Sequence, residues 1–238
     1  MINKPAVVLL SGGQDSNTCL FWALQNFKEV AALNILYGQR HKIEAQAARK
    51  IAYIAGVDFQ EIHADQIFKA LGNSGLVEID SDISSSHKTD PSLPASFVPG
   101  RNIMFLTIAA AWAYSRGVND IVTGVCQTDY SGYPDCRDNT IKSVQVALSL
   151  GLDKDIIIHT PLMWMTKAET VKMAAAMPPD CWEALAYSHT CYEGQIPPCD
   201  NCPACQLRAK GFDEAGMIDP LIERIFMEGE YHDDWSNR

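Results

Sequence analysis

A doubly wound parallel α/β sheet followed by a small cysteine-rich C-terminal module is the fold class this sequence predicts, on three observations. Short apolar runs alternate with helix-periodic stretches from the first residues onward, as in a parallel sheet covered by helices on both faces. The first run, Val7-Val8-Leu9-Leu10, ends on Ser11-Gly12-Gly13, the pattern of a buried strand opening into a loop. Four cysteines crowd residues 191 to 205 after Pro178-Pro179 has broken the alternation.

Taken in order, Ser16 is placed to cap a helix running to about Asn26. Val30 to Tyr37 reads as a second strand, and Phe59 to His63 as a third. Between them Ile43, Ala47, Ile51 and Ile54 recur on one helical face. From Gly72 to Pro99 the pattern lapses into Gly, Ser, Asp and Pro, and a lapse of that length inside a domain predicts a functional lid. Ile103 to Tyr114 is apolar nearly all round, which predicts a buried helix. Ile121 to Thr123 and Ile156 to Ile158 are further strands flanking a helix over roughly Asn139 to Leu150, and a helix over Lys167 to Ala176 precedes the double proline.

The chain has 238 residues, enough for one large domain or one domain with an appended module. Hydrophobic residues at 47% and charged residues at 20% suit a chain with a sizeable core and exclude a wholly disordered one. No apolar run reaches the roughly 18 residues of a membrane helix. The first residues carry no small-residue cleavage site, so a cytoplasmic location is expected. Nineteen Lys and Arg against 29 Asp and Glu give a net charge of −10. Nucleic acid is therefore not the expected partner, because its binding draws on neutralised phosphates.

Ser11-Gly12-Gly13-Gln14-Asp15-Ser16 sits between strand and helix. The glycines let the backbone turn tightly and approach a ligand, while the first amides of the helix offer unpaired donors and partial positive charge. Such a site suits pyrophosphate. It is neither G-x-x-x-x-G-K-[ST] nor G-x-G-x-x-G. Cys191, Cys199, Cys202 and Cys205 have the spacing of a closed tetrahedral zinc site, with His189 the nearby substitute ligand. An iron–sulfur cluster also takes four cysteines. Cys19, Cys126, Cys136 and Cys181 read as ordinary core or loop residues.

The C-terminal ends of strands in an open α/β sheet converge on one crevice, so loops 11–16, 37–41 and 124–137 should face one ligand. Asp129 and Asp135 would serve there as acceptors, Arg137 as a fork for carboxylate, and Tyr130 or Tyr133 as stacking faces. Lys167 is placed to balance charge on released pyrophosphate and Arg101 to reach phosphate, whereas His41 reads as a capping or packing residue.

The Ser11 to Ser16 loop resembles that of the ATP pyrophosphatase (PP-loop) superfamily, with its adenine nucleotide alpha hydrolase-like fold; Gly12, Gly13, Asp15 and Ser16 carry the likeness. Further segments narrow it: Tyr37-Gly38-Gln39-Arg40-His41, Phe97 to Asn102, Gly124 to Arg137, Thr160 to Met163, Lys167 to Thr170, and the four cysteines running into Leu207-Arg208. Together they resemble the 7-cyano-7-deazaguanine synthase family, from about Val7 to Phe212. Asn139-Thr140 departs from the acidic-then-aromatic pair expected there.

The resemblance implies an ATP-dependent carbon–nitrogen ligase of queuosine precursor biosynthesis. The carboxylate of 7-carboxy-7-deazaguanine is adenylated and taken by free ammonia to the amide, and the amide oxygen is adenylated in turn to leave the nitrile. It implies a nucleotide-binding domain over 1–180 with a lid near 72–99, and a zinc module with C-terminal helices over 181–238. By the same likeness Asp15, Lys167 and Arg101 are catalytic. Leu10, Ser11, Gly12, Gly13, Gln14, Asp15, Ser16, Tyr37 and Gln39 bind ATP with Mg2+, for which Asp15 is the candidate ligand. Arg40, Asp129, Tyr130, Ser131, Tyr133, Asp135 and Arg137 bind substrate. Cys191, Cys199, Cys202 and Cys205 hold one structural Zn2+, and the assembly is a homodimer. Two rivals differ in chemistry: a tRNA sulfur-transfer adenylating enzyme, and a nucleotide-responsive, zinc-containing binding protein. The acidic charge and the absence of Lys and Arg from 181 to 205 speak against nucleic acid.

Overall fold

The computed structural model describes residues 2–38, 43–71, 90, 92–94, 96–128 and 133–228. Five parallel strands form one sheet in the order β3-β2-β1-β4-β5: β1 Ile2–Leu9, β2 Phe27–Leu36, β3 Asp58–His63, β4 Asp120–Val122 and β5 Ile157–His159. The helices are α1 Gln14–Asn26, α2 Ile43–Ala55, α3 Asp65–Leu71, α4 Arg101–Ser115, α5 Asp138–Leu152, α6 Lys167–Ala175, α7 Pro179–Leu185, α8 Pro203–Ala215 and α9 Pro220–Glu228. None among the described residues is long and apolar enough to cross a membrane.

Alternation along β1 divides the core in two. Ala6 and Val8 face the layer built by α1, α2, α6 and α7, whereas Val7 faces α4 and α5. A strand buried on both sides needs apolar residues at successive positions, which is why Val7 and Val8 both have no exposure. The chain order reverses between β1 and β4, so the loops after those strands part and leave a crevice.

Three expectations are corrected. Ser16 does not cap α1: Gly13 holds that position and Ser16 lies in the first turn, its hydroxyl donating to the Gly13 carbonyl at 2.9 Å. The α4 helix is not buried all round. Leu106, Ala109, Ala110 and Ala113 are covered, while Ile103 and Tyr114 are 40% and 48% exposed, because the sheet covers one side of it. The Pro178-Pro179 break opens α7, in which proline takes an early helical position whose N–H needs no partner.

The division at 180/181 falls within α7, whose Cys181, Ala184 and Leu185 share a core with β1, as does Phe212 of α8. Arg208, 3% exposed, ties this part together. Its guanidinium donates to both oxygens of Asp219 at 2.6 and 2.8 Å and to the Ser188 hydroxyl at 2.8 Å.

Candidate active site

The crevice is a cavity of about 540 Å³, large enough for a small-molecule ligand. Its floor is the loop after β1. The Ser11 hydroxyl accepts from the Gly13 amide at 3.3 Å and donates to the Ser16 hydroxyl at 3.1 Å, closing a tight turn over the start of α1. Among the described residues no side chain caps that helix, so its N-terminal end opens into the cavity with its partial positive charge. Gly12 has φ +94°, and a Cβ there would stand 2.1 Å from the Glu44 carbonyl oxygen. The loop lies directly on the main chain of α2, which only glycine permits.

Asp15 and Lys167 meet above the loop, the ammonium donating to both carboxylate oxygens at 2.9 and 2.8 Å. Lys167 is the first residue of α6, behind a complete capping box formed by Thr166 and Glu169. Its stem passes over Gly211 of α8, where a Cβ would come within 2.3 Å of the Lys167 Cγ.

Arg101, at the start of α4, forms the second cationic wall. Its guanidinium lies 5.7 Å from the Tyr37 ring and 5.8 Å from the Tyr133 ring. Burial opposes its charge, yet Tyr37, Tyr133 and Tyr192 together hold it protonated above its ordinary range. Burial likewise pushes the Tyr37 phenol up to about 12. The Tyr133 and Ser96 hydroxyls share a hydrogen bond of 2.6 Å, so the described end of the 72–99 segment reaches this wall.

The four cysteine sulfurs lie within 4.8 Å of one another, Cys199 and Cys205 at 3.9 Å. Tetrahedral thiolates at a zinc–sulfur distance of about 2.3 Å would stand about 3.8 Å apart, so the donor set fits a metal ion. The Cys202 amide donates to the Cys199 sulfur at 3.3 Å and the Tyr192 amide to the Cys202 sulfur at 3.5 Å, polarising thiolates as a metal site requires. His189 is not among these ligands. Buried to 3% exposure, it lines the cavity, and its amide donates to the Gly12 carbonyl at 2.9 Å. The cysteine segment thereby pins the loop.

A family profile described as "Queuosine biosynthesis protein QueC" matches residues 5–216. The chain belongs to the QueC family. A 7-cyano-7-deazaguanine synthase of Chromobacterium violaceum is 53% identical over 230 residues, covering 96% of this chain and 97% of the relative. One from Bacteroides fragilis is 49% identical over 217 residues, covering 90% and 97%. Among solved structures, a 4-thiouridine synthetase in complex with RNA and bound ATP superposes with a TM-score of 0.53 at 16% identity, over 94% of this chain and 53% of that one. That likeness is one of fold.

In this QueC-family chain Leu10, Ser11, Gly13, Gln14, Asp15, Ser16, Tyr37, Arg101, Tyr133 and Lys167 all line the one cavity, with Gly12 beneath it. Asp135 and Arg137 are not among the described lining residues. One oxygen of Asp135 accepts from the Asn102 amide at 2.9 Å and fastens the start of α4, while its other oxygen is buried with no partner among the described residues. Arg137 occupies the position before α5. Gln39, Arg40, His41, Asp129, Tyr130 and Ser131 lie outside the described residues, as does most of the expected lid. Cys19 and Cys181 are core residues, whereas Cys126 and Cys136 line the cavity. Sequence reasoning missed Glu44, Asn34 and His189 as lining residues. Asn34, polar within an apolar strand run, is a legible signal; its amide donates to the Leu10 carbonyl at 2.6 Å and its buried oxygen has no partner among the described residues.

Proposed function

We propose that this chain is an ATP-dependent carbon–nitrogen ligase that converts 7-carboxy-7-deazaguanine and ammonia to 7-cyano-7-deazaguanine by adenylating first the carboxylate and then the amide. The convergence of an uncapped helix N-terminus, Lys167 and Arg101 on one cavity carries the reading, in a chain whose relatives bear that synthase name. A carboxylate oxygen is a poor leaving group, and transfer of AMP to it makes a good one. The chain's part is to hold the phosphates and neutralise the charge that develops on them.

ATP enters with Mg2+. The loop from Leu10 to Ser16 cradles its phosphates, Asp15 faces the cation, and Lys167 with Arg101 balances the departing pyrophosphate. Tyr37 and Gln39 border the nucleotide. Arg40, Asp129, Tyr130, Ser131, Tyr133, Asp135 and Arg137 contact the deazapurine, and one oxygen of Asp135 also fastens the start of α4. Zn2+ is the metal of the four-cysteine site, where complete sulfur ligation leaves no position open and makes its role structural. Residues 1–180 then hold the substrates, under a lid contributed by 72–99, and 181–238 brace the loop from outside. The protein works in the cytoplasm as a homodimer, on small molecules and not on nucleic acid.

The test is incubation with Mg-ATP, ammonia and 7-carboxy-7-deazaguanine, following AMP and product mass together. Nitrile with about two AMP per product is expected from two adenylations. An amide as end product would remove the second step, and no substrate-dependent AMP would overturn the reading.

A further inference from the structure

Two carboxylates line the cavity among the described residues, Asp15 and Glu44. Asp15 is engaged through both oxygens by Lys167. Glu44, in the first turn of α2, has no comparable salt bridge among the described residues. Its main chain is locked against the phosphate loop, since its carbonyl oxygen occupies the space a Cβ on Gly12 would need. The Cα from which its side chain enters the cavity is therefore fixed beside the loop after β1. Arg101 faces it from α4, with Tyr37 at the end of β2 and Cys191 and Tyr192 in the cysteine segment.

The ligase reading, on which this inference rests, leaves one requirement unmet. Ammonia in neutral water is almost wholly ammonium, which has no lone pair. Something in the cavity must receive the cation and take a proton from it, and neither Lys167 nor Arg101, both cations, can. We propose that Glu44 is the ammonium-receiving group of this site and the acceptor of its first proton.

An ammonium N–H proton moves to a carboxylate oxygen of Glu44, and the freed nitrogen lone pair forms the bond to the acyl carbon. The carbon–oxygen bond to AMP then breaks, its electron pair leaving on the AMP phosphate. The second surplus proton departs to solvent. A carboxylate lining the cavity can accept such a proton and pass it on to solvent, which resets the group for the next turn.

Hydroxylamine separates this role from a structural one, because at neutral pH it is already a free base and needs no deprotonation. In Glu44→Gln, ammonium-dependent kcat/KM for AMP release should fall about 100-fold, with a raised KM for ammonium. Hydroxylamine-dependent AMP release and hydroxamate formation should stay within about twofold of the parent, a change too small to count as lost acid–base catalysis. Glu44→Asp, which keeps the acid, should recover part of the ammonium activity. Equal loss with both nucleophiles, or an unchanged KM for ammonium, would overturn the inference. If the unsubstituted protein released AMP with neither nucleophile, the ligase reading itself would fall.

Discussion

Lys167 reaches across 152 positions of sequence to place its ammonium 2.9 and 2.8 Å from the two oxygens of Asp15. Each belongs to the first turn of a helix, α1 for Asp15 and α6 for Lys167, so two helix starts are tied together at the mouth of the phosphate loop. The side chains are 10% and 29% exposed, which leaves the pair less screened than a surface ion pair. The two charges satisfy each other. Under the proposed function Mg-ATP would divide the pair, its cation drawing on Asp15 and its phosphates on Lys167.

Lys167→Met should lower substrate-dependent AMP release by about 100- to 1,000-fold, the usual loss when one donor to a developing charge is removed. Asp15→Asn should cost a similar factor. The double substitution should cost far less than the product of the two, since each single change already dissolves the unit. Steady-state kinetics on the three proteins decides it, and strictly multiplicative losses would mean that the residues act separately.

Gly211→Ala tests the same pair from behind. Alanine is the better helix former by about 1 kcal/mol. Its Cβ, however, would lie 2.3 Å from Cγ and 3.0 Å from Cβ of Lys167, atoms too near the main chain to swing aside, and such overpacking costs about 1–3 kcal/mol. The net is a loss of up to about 2 kcal/mol in stability, while the displaced stem pulls the ammonium from Asp15. Turnover should fall about tenfold or more, with a fall in melting temperature of no more than about 8 °C. Full activity in a stably folded variant would show that the Lys167 stem has room to move.

Much of this arrangement was legible in sequence because it depends on local pattern. Val7 to Leu10 ending in Gly12-Gly13 marks the strand and its loop, and the spacing of Cys191, Cys199, Cys202 and Cys205 marks a metal site. What escaped depends on packing between distant elements. Nothing near Glu44 in sequence says that Gly12 presses on its carbonyl, and nothing near Gly211 says that a lysine crosses it. Asp135 shows the same. An acid in a ligand-facing loop reads as a substrate contact, and nothing near it in sequence says that one of its oxygens also lies on the Asn102 amide, where the positive end of α4 attracts it.

Removing the metal from the four-cysteine site should weaken ATP binding at a distance. The thiolates hold the segment whose His189 amide is bonded to the Gly12 carbonyl, and one such hydrogen bond is worth about 0.5–1.5 kcal/mol. Chelation, or Cys202→Ser, should raise the ATP Kd by up to about tenfold and lower the melting temperature. Calorimetry beside metal analysis tests this. ATP affinity that survives complete metal loss would show that His189 is held by other contacts.

The Cys136 thiol should report on ligand in the cavity through its pH dependence. Burial and the neighbouring Asp135 push it up to about 12, against the pull of Arg101 and a hydrogen bond from Asn102. An ordinary protein thiol near 9 is part thiolate at pH 8, and a shift of about three units makes the reactive form about 1,000-fold scarcer. Because the shift is upward, alkylation of native protein should climb about tenfold per pH unit from 8 to 11 without levelling, whereas the unfolded chain should level off just above 9. Cys136 lines the cavity, so ATP should slow the reaction further. Peptide mapping after brief alkylation separates Cys136 from the other thiols. A native rate that levels near pH 9 would mean that the thiol is solvated, and that the wall formed by Arg101, Tyr133 and Asp135 is open to water.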